Sequence, residues 1–257
     1  MKRRLLYSIV TFGIFLILLI WVNVTGEKNV AGRDYYQIKQ EGILNIVTEY
    51  NSVDYYVTGD TIAGIQYELC KYIEKRSGLH VEIFLANNME ACIKGLENHT
   101  YDIIARSIPI TNENKDLFLF TVPVAQSKQV LVQRKPVEGD TVLFIRNQLD
   151  LSNKEIHVPK NSAAILRLRN LSDEIAEPIH IKETEQYSRE ELIYRVACKE
   201  IDYAVVDREL ALKNSISFPE IDVKTDIGFT QFQAWAVRKT SPALLDSLNV
   251  WISDYGR

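Results

Sequence analysis

The sequence is poor in the residue types that build metal sites and disulfide frameworks. It contains three cysteines and four histidines in 257 residues. An odd number of cysteines cannot all pair with one another, and no spacing between them forms a CxxC metal motif. The histidines are scattered without ligand spacing, and no order of Ser, His and Asp residues suggests a catalytic triad. We therefore expect no metal and no other cofactor. We expect Cys70, Cys92 and Cys198 to be buried thiols, with a Cys70 to Cys92 bridge as the alternative.

The sequence also lacks an excess of positive charge. Thirty Lys and Arg residues stand against 34 Asp and Glu residues, which leaves a formal net charge of −4. Nothing in this balance provides a basic surface for a phosphate backbone, so we do not expect nucleic acid as a partner. Hydrophobic residues make up 46% of the chain, which is enough for an ordinary core and excludes a disordered chain. The length fits one large domain or two small lobes.

One long uncharged segment stands at the amino end. Residues 1–4 form a basic cluster, and residues 5–26 contain no charged side chain. As a helix this segment would be roughly 33 Å long, which is enough to cross a membrane. We expect a transmembrane anchor with a cytoplasmic basic end, because the segment is long for a signal peptide and residues 22–26 make a poor cleavage site. A cleaved signal segment is the alternative. In both cases residues 27–40 form a tether and the folded part lies outside the inner membrane.

Hydrophobic periodicity predicts alternating strands and helices after the tether. The predicted elements are a strand at 43–48, a helix at 65–77, a strand at 81–85, a helix capped by Asn87 and Glu90 that ends at 97, and a strand from 102. This order implies a largely parallel sheet with helices on its faces. Ligands of such sheets bind at the carboxyl ends of the strands, where Arg106 and Ser107 fall.

The same pattern restarts after Pro136 and predicts a second α/β lobe. Its predicted elements are a strand at 155–158, a helix that begins at 161–163, a strand at 179–181, a helix with a capping box of Ser188 and Glu191, and a strand at 202–206. A return strand at 232–237 and a final helix that begins at Ser241 and Pro242 follow.

A family resemblance is carried by residues 101–134. They run as a strand with a polar rim, a Thr-x-Glu turn, a Phe-Thr-x-Pro segment and an alternating strand. This order resembles the first lobe of family 3 periplasmic solute-binding proteins, and the chain is similar to them over residues 42–252. It most resembles the non-catalytic amino-terminal half of membrane-bound lytic transglycosylase F. The resemblance implies an α/β fold of the type 2 periplasmic-binding-protein class, with two lobes and a two-strand hinge.

The resemblance also implies how the chain divides. Lobe 1 is expected to comprise residues 41–133 plus 229–257, and lobe 2 residues 134–228. The hinge is expected near residues 133–136 and 228–233.

The residues at the end of a buried strand provide the first candidate site group. Residues 199–207 resemble the family pattern Gly-x-x-Asp-Ala-x-x-x-Asp, whose last Asp commonly receives a ligand amino group. That Asp is Asp207, and the alternative is an N-cap for the helix that follows. Asn161, Ser162 and Ala163 match the family's helix start in lobe 2, where free backbone N–H groups favour an anionic ligand group. The alternative for these three residues is a helix cap alone.

Two further candidates come from lobe 1. Tyr55 and Tyr56 stand where the family often places an aromatic wall against the ligand, with plain surface cover as the alternative. Amino-acid binders of this family usually have Arg three residues after the Thr that matches Thr111, but this chain has Asn114, which does not replace a bidentate guanidinium. Arg106, next to Ser107, could supply the missing charge from another direction. The alternative is a structural ion pair between Arg106 and a neighbouring carboxylate.

The resemblance implies an extracytoplasmic solute-binding protein that closes on a small polar ligand, amino-acid-like or cell-wall-derived, for transport or sensing. An ABC permease is the partner that transport implies. The alternative is a membrane-tethered, non-catalytic module that regulates or docks onto a cell-wall enzyme. Lytic transglycosylases carry their catalytic Glu in a separate domain after the binding-protein half. Since this chain ends at Arg257, we expect no activity of that kind.

Overall fold

The structure, a computed structural model, describes residues 33–139 and 141–255. Its elements are, in chain order, α1 (Tyr35–Glu41), β1 (Ile43–Thr48), β2 (Tyr56–Thr58), β3 (Thr61–Ala63), α2 (Ile65–Ser77), β4 (His80–Leu85), α3 (Met89–Glu97), β5 (Ile103–Pro109), α4 (Asn112–Leu117), β6 (Leu119–Phe120), β7 (Ala125–Ser127), β8 (Gln129–Arg134), a 3-10 turn (Gln148–Leu151), β9 (Glu155–Pro159), α5 (Ala163–Ile175), β10 (His180–Thr184), α6 (Arg189–Ala197), β11 (Tyr203–Asp207), α7 (Arg208–Ser217), β12 (Ile221–Asp226), β13 (Gln231–Val237) and α8 (Pro242–Tyr255). The predicted transmembrane or signal segment lies outside the described residues. Among those that are described, no helix has the length and hydrophobicity to cross a bilayer.

Apart from the two-stranded hairpin of β2 and β3, the described strands form two separate sheets, which confirms the prediction of two α/β lobes. The first has the order β4-β1-β5-β13-β6, and β7 also pairs with β13. The second has the order β10-β9-β11-β8-β12. In each sheet the strands joined by helices run parallel, and β13 in the first and β8 in the second run antiparallel to their neighbours. Each antiparallel strand is the one that follows a crossing from the other lobe, so its direction follows from the connectivity.

Each sheet is covered by helices on both faces. In β5, Ile103 and Ala105 pack with α1, α2 and α8, while Ile104 and Ile108 pack with α3 on the opposite face. In β8, Leu131 faces α5, while its neighbours face α6 and α7. Side chains alternate across a strand, so a strand that is apolar throughout is stable only when both faces are buried. Because both faces of the central strands are buried, polar side chains can reach solvent only at the strand ends.

The outward crossing lies earlier than predicted. Residues 129–134 were expected to end lobe 1, but β8 pairs with β11 and β12 in the second sheet. The chain therefore leaves lobe 1 at Lys128, between β7 and β8, and returns through residues 227–230. The reason is that β8 is buried on both faces, as a central strand must be, rather than spanning the gap between the lobes. Lobe 2 accordingly begins near residue 129.

The predicted tether also extends too far. Helix α1 begins at Tyr35 and packs on lobe 1, with Ile38 fully buried. Arg33 donates a hydrogen bond of 2.9 Å from Nε to Asp102 at the base of β5. The sequence did not predict this short helix, because its residues are mostly polar or charged and only one side chain is completely buried. Farther along the chain, Ser188 and Glu191 form the predicted capping box, whereas Asn88 rather than Asn87 caps α3.

All three cysteines are free thiols, but only two of them are buried. Cys70 packs in the core under α2, and Cys92 packs on the opposite face of the same sheet, so the alternative of a bridge between them is wrong. Cys198 is exposed, which corrects the expectation that all three are buried. It follows the last turn of α6, where the buried face of the helix has ended.

We expect one cysteine to react in the folded protein. Burial raises the pKa of the Cys70 and Cys92 thiols, and a thiol reagent needs both access and a thiolate. Titration with Ellman's reagent should therefore detect one thiol per chain in buffer and three in urea. The Cys198→Ser variant should show none in buffer, and rapid reaction of a second thiol in the wild type would contradict the core described above.

Candidate functional site

A cleft of about 740 Å³ lies between the two lobes. Six of the eight predicted site residues line it: Arg106, Ser107, Asn161, Ser162, Ala163 and Asp207. They come from the carboxyl half of β5, the loop after β9 and the end of β11. Both sheets thus direct the ends of their central strands into one space, as expected for ligand sites of open α/β sheets.

The two tyrosines occupy a different place and do not line this cleft. Tyr55 contacts the ring of Tyr67 edge to face, with 5.6 Å between the ring centres, and lies 6.5 Å from the ring of Tyr50. Tyr56 pairs with Ala63 in the small hairpin of β2 and β3. Tyr55 thus packs on α2 and Tyr56 belongs to the hairpin, so their position does not support the predicted aromatic wall.

Arg106 forms the structural ion pair that was one of its two interpretations. Its Nη2 donates to Oε2 of Glu49, and Nη1 donates to the carbonyl oxygens of Ala86 and Asn87 at 3.4 and 3.3 Å. Glu49 is fully buried and the Arg106 side chain is 7% exposed. The guanidinium still lines the cleft, so Arg106 combines a structural role with a position beside a ligand. Its charge, however, is already compensated.

Arg189 is a site residue that sequence reasoning missed. It is the first residue of α6 in lobe 2, and its side chain is 13% exposed. Its Nη2 donates to Glu49 Oε2 and, at 3.1 Å, to Asp54 Oδ2, both of which belong to lobe 1. Its Nη1 donates to Oδ2 of Asp207 in lobe 2. One guanidinium therefore binds three carboxylates from both sides of the cleft.

One signal in the sequence could have identified Arg189. A cation in the first turn of a helix opposes the helix dipole, so Arg is a poor choice there unless something else holds it. The capping box of Ser188 and Glu191 explains the start of α6 without it. The partners of Arg189 could not be read from the chain, because Glu49 and Asp54 lie 140 and 135 residues earlier.

Direct pairing of opposite charges explains why so many charged groups can be buried together. The cluster contains the carboxylates of Glu49, Asp54 and Asp207 and the guanidiniums of Arg106 and Arg189. Burial lowers the pKa of Arg189, but the charges of Glu49, Asp207 and Asp54 outweigh it and raise that pKa well above its usual value. Arg189 is therefore permanently charged. Removal of either guanidinium would leave buried carboxylates without compensation.

Asp207 does not cap the helix that follows it. It occupies the N-cap position of α7, but its side chain makes no capping hydrogen bond. The carboxylate instead accepts from Gln129 Nε2 at 2.5 Å and from Arg189. The helix-cap alternative is therefore wrong, and the carboxylate that lines the cleft is already paired within the protein.

The start of α5 has both the cap and the shape that a ligand site needs. Ser162 caps the helix by accepting a hydrogen bond from the Ala164 N–H at 3.2 Å. Asn161 has φ of 59°, in the left-handed region. Asn tolerates that conformation better than most residues other than Gly, which explains how Asn161 replaces the family's Gly here. The polar end of the helix faces the cleft.

Asn114 has a local role where amino-acid binders of the family have Arg. Its Nδ2 donates to the Pro109 carbonyl oxygen at 2.9 Å, and its backbone N–H is capped by Thr111 Oγ1 at 3.2 Å. Both bonds close the turn into α4. Asn114 lines the cleft as a neutral amide and brings no charge to it.

The rest of the lining is apolar or uncharged except for Glu113 and the ion-paired side chains of Lys160, Arg167, Arg169, Glu183 and Glu185. Leu117 of lobe 1 is 57% exposed, and Phe229 on the return crossing is 78% exposed. Met89, Ile93 and Leu166 continue this apolar surface. A ligand that fits would therefore present an apolar face together with neutral hydrogen-bonding groups. Within residues 33–139 and 141–255, no group of three or more His, Cys, Asp and Glu side chains is suited to hold a metal ion.

Further contacts join the lobes beside the charged cluster. Asn214 of α7 donates to Ser52 Oγ at 3.1 Å and to Glu190 Oε1 at 2.8 Å. The Ser52 N–H donates to the same Glu190 oxygen at 3.3 Å. Val53 packs against the lobe 2 core. The loop after β1 thus holds lobe 2 on one side of the cleft, while the side with Leu117 and Phe229 is exposed.

Comparison with known proteins agrees with this architecture. Residues 44–255 match the family model of bacterial extracellular solute-binding proteins, family 3. A membrane-bound lytic murein transglycosylase F from Desulfosudis oleivorans is 26% identical over 247 residues, which cover 96% of this chain and 53% of the relative. The protein of the same name from Aeromonas salmonicida is 28% identical over 259 residues, covering 98% and 49%. The chain thus spans about half the length of the curated relatives it matches.

Solved structures show the same fold. Holo ArgBP from T. maritima has a TM-score of 0.74 and 20% identity, with 86% of this chain and 94% of that chain covered. The amino acid ABC transporter substrate-binding protein AbpA from Streptococcus pneumoniae, bound to L-arginine, has a TM-score of 0.71 and 18% identity, with 86% and 92% covered. At these identities the likeness concerns the fold. Together with the family match over most of the chain, it shows that this chain belongs to the bacterial extracellular solute-binding proteins, family 3.

Proposed function

We propose that this chain is an extracytoplasmic receptor that closes on a small polar ligand with an apolar face, for transport or sensing. The observation that carries the proposal is the cleft, whose Lys and Arg side chains are all paired with carboxylates of the protein and whose remaining surface, apart from Glu113, is amide, hydroxyl and apolar. A free amino acid needs a fixed cation for its carboxylate and a fixed anion for its ammonium. A dipeptide has the same two charged termini, whereas cell-wall fragments consist mostly of uncharged sugar and amide groups and fit this surface better.

The relatives support a second function within the same fold. The curated relatives are named membrane-bound lytic murein transglycosylase F, and this chain matches about half of each. A membrane-tethered module that binds cell-wall fragments and regulates a cell-wall enzyme would use the same cleft. In this proposal the uncharged residues 5–26 hold the module on the outer face of the inner membrane, and the cleft itself performs no catalysis. Its Asp207 carboxylate is bound to Arg189 and Gln129, which leaves it poorly placed to transfer a proton.

A ligand titration with one altered residue at the mouth of the cleft tests the binding function. A ligand at 100 times its dissociation constant stabilises the folded state by about 2.7 kcal/mol, which a thermal-shift assay detects. We expect a saturable rise in Tm with muropeptides. The Leu117→Asp variant should bind at least about tenfold more weakly, because closure would bury its new charge.

The matched control is Leu149→Asp. Leu149 is 59% exposed, close to the 57% of Leu117, and lies on the 3-10 turn away from the cleft. The Leu149→Asp variant should bind the ligand with the same affinity as the wild type. Absence of any saturable shift across amino acids, dipeptides and muropeptides would contradict the proposed function, and equal binding by both variants would contradict the assignment of the cleft. Purification of the protein from cross-linked membranes then distinguishes the two roles. A co-purified permease indicates transport, and a co-purified cell-wall enzyme indicates regulation.

A further inference from the structure

The cluster behind the cleft has the composition of a cation-binding site. Glu49 and Asp54 belong to lobe 1 and are 0% and 4% exposed, and Asp207 belongs to lobe 2 and is 8% exposed. Three carboxylates at this depth have one partner in common, the guanidinium of Arg189. Arg106 reaches only Glu49 among them. Without Arg189 the three anions would face a single compensating cation.

The geometry distinguishes Arg189 from an ordinary ion pair at an interface. Arg106, Arg189 and Asp207 line the cleft, whereas Glu49 and Asp54 lie behind them. The Arg189 side chain therefore separates two lobe 1 carboxylates from the space in which a ligand would bind. Both terminal nitrogens of its fork are used, Nη1 toward lobe 2 and Nη2 toward lobe 1. This is how a guanidinium ligand would join the lobes if it entered from solution.

We infer that the cluster is a guanidinium-binding subsite and that the side chain of Arg189 occupies it. Because the subsite is already filled, cationic solutes cannot bind there. The inference deepens the proposed function, on whose cleft it rests. It makes Arg189 the specificity-determining residue at this end of the cleft. A cationic solute would have to displace a tethered guanidinium that is bound to three carboxylates. The natural ligand then has no cation at this end and meets the neutral surface of the cleft instead.

Removal of the occupant should reveal the subsite. Arg189→Ala deletes the atoms of N-ethylguanidinium, so this compound can replace the missing side chain. We expect Arg189→Ala to have a lower Tm than the wild type and to recover part of it in a saturable manner, with a dissociation constant of roughly 1–10 mM for ethylguanidinium. Ethylurea, which has the same shape without the charge, should have no effect. The wild type should respond to neither compound.

Two variants make the test specific. Arg169→Ala removes another cleft-lining guanidinium, whose partner is Glu183 at 3.3 Å, and should not be rescued. Arg189→Ala combined with Asp54→Asn should bind ethylguanidinium several-fold more weakly, because one of its three anions is lost. If Arg189→Ala does not fold alone, the same comparison of ethylguanidinium with ethylurea is made on folding yield, followed by far-UV circular dichroism.

The results separate this inference from the proposed function. Rescue of Arg189→Ala by ethylguanidinium but not by ethylurea supports the inference, whichever solute without a guanidinium group the wild type binds. Equal effects of the two compounds, or rescue of Arg169→Ala to the same extent, would overturn it. So would saturable binding of agmatine or L-arginine by the wild type. A wild type without any ligand in the solute panel would instead count against the proposed function and leave the rescue result unaffected.

Discussion

Replacement of Glu49 by Gln is expected to lower the free energy of unfolding by about 3–5 kcal/mol. The side chain is fully buried and accepts from both Arg106 and Arg189. Gln has nearly the same shape, so no cavity arises, but its uncharged amide removes the carboxylate that is paired with Arg106 and one of the three that are paired with Arg189. Removing one partner of a buried ion pair leaves a buried charge without compensation. The resulting loss of stability is far larger than the stability that the intact pair adds over a pair of apolar residues.

Urea unfolding measures this effect directly, and a fall in Tm of roughly 6–20 °C should accompany it. The matched control is Glu82→Gln. Glu82 lies on β4 and is exposed, so the change should be within about 0.5 kcal/mol. Similar values for the two variants would show that the buried cluster contributes little to stability. The radius of gyration from X-ray scattering should also increase for Glu49→Gln, because one of the contacts that join the lobes is weakened.

The second large effect is expected for Gly64→Ala. Gly64 has φ of 131°, a conformation that residues with a side chain rarely adopt. A Cβ atom at this position would lie 2.3 Å from the Asp54 carbonyl oxygen and 2.8 Å from the Tyr55 Cα. These are backbone atoms, which cannot turn aside as a side chain can. The strain and the overlap together should destabilise the protein by roughly 2–6 kcal/mol.

The carbonyl group that Gly64 approaches has its own role. Asp54 O accepts from the backbone N–H groups of Gln66 and Tyr67 at 3.0 and 3.3 Å, which satisfies two donors at the start of α2. No side chain caps this helix. Displacement of the loop would therefore uncap α2 and move the Asp54 carboxylate from Arg189.

Gly78→Ala is the control for Gly64→Ala. Gly78 has φ of 72°, and no atom lies within 4 Å of the position that an added Cβ would take, so its substitution adds backbone strain without overlap. It should cost about 1–2 kcal/mol, and the difference between the two variants in urea unfolding isolates the overlap with the Asp54 loop. Equal destabilisation by the two substitutions would indicate that the loop moves freely and that the close approach has no structural importance.

Local signals in the sequence predicted the two series of strands and helices, and the family resemblance implied most of the cleft residues. Alternation and helical periodicity act over a few residues, which is why the helix at Ile65–Ser77 and the buried strand at Tyr203–Asp207 could be located. Polar residues toward the carboxyl ends of the strands were expected to form the ligand site, and Arg106 and Asp207 line the cleft from the two sheets. The same reasoning could not say which residue of the second lobe would bind Asp207. That partner, Arg189, is chosen by the packing of α6 against β11.

The errors have a common physical cause. The strand Gln129–Arg134 has the composition of a buried strand in either sheet, and only pairing with β11 and β12 assigns it to lobe 2. Tyr55 and Tyr56 suit a ligand wall or a packed turn equally well by composition. Their loop is positioned by the contact of Asp54 with Gly64, which is a backbone feature without a sequence pattern of its own. Long-range pairing therefore decides what short-range patterns leave open.

The place of β13 bears on the order in which the two lobes form during synthesis. β13 lies between β5 and β6 in the first sheet, so that sheet lacks a central strand until residue 237 has left the ribosome. The second sheet uses only strands between residues 129 and 226, a single continuous stretch. The lobe whose chain begins first is therefore the last to be completed, and the exposed edge of β5 must remain unpaired in the nascent chain until the return strand arrives.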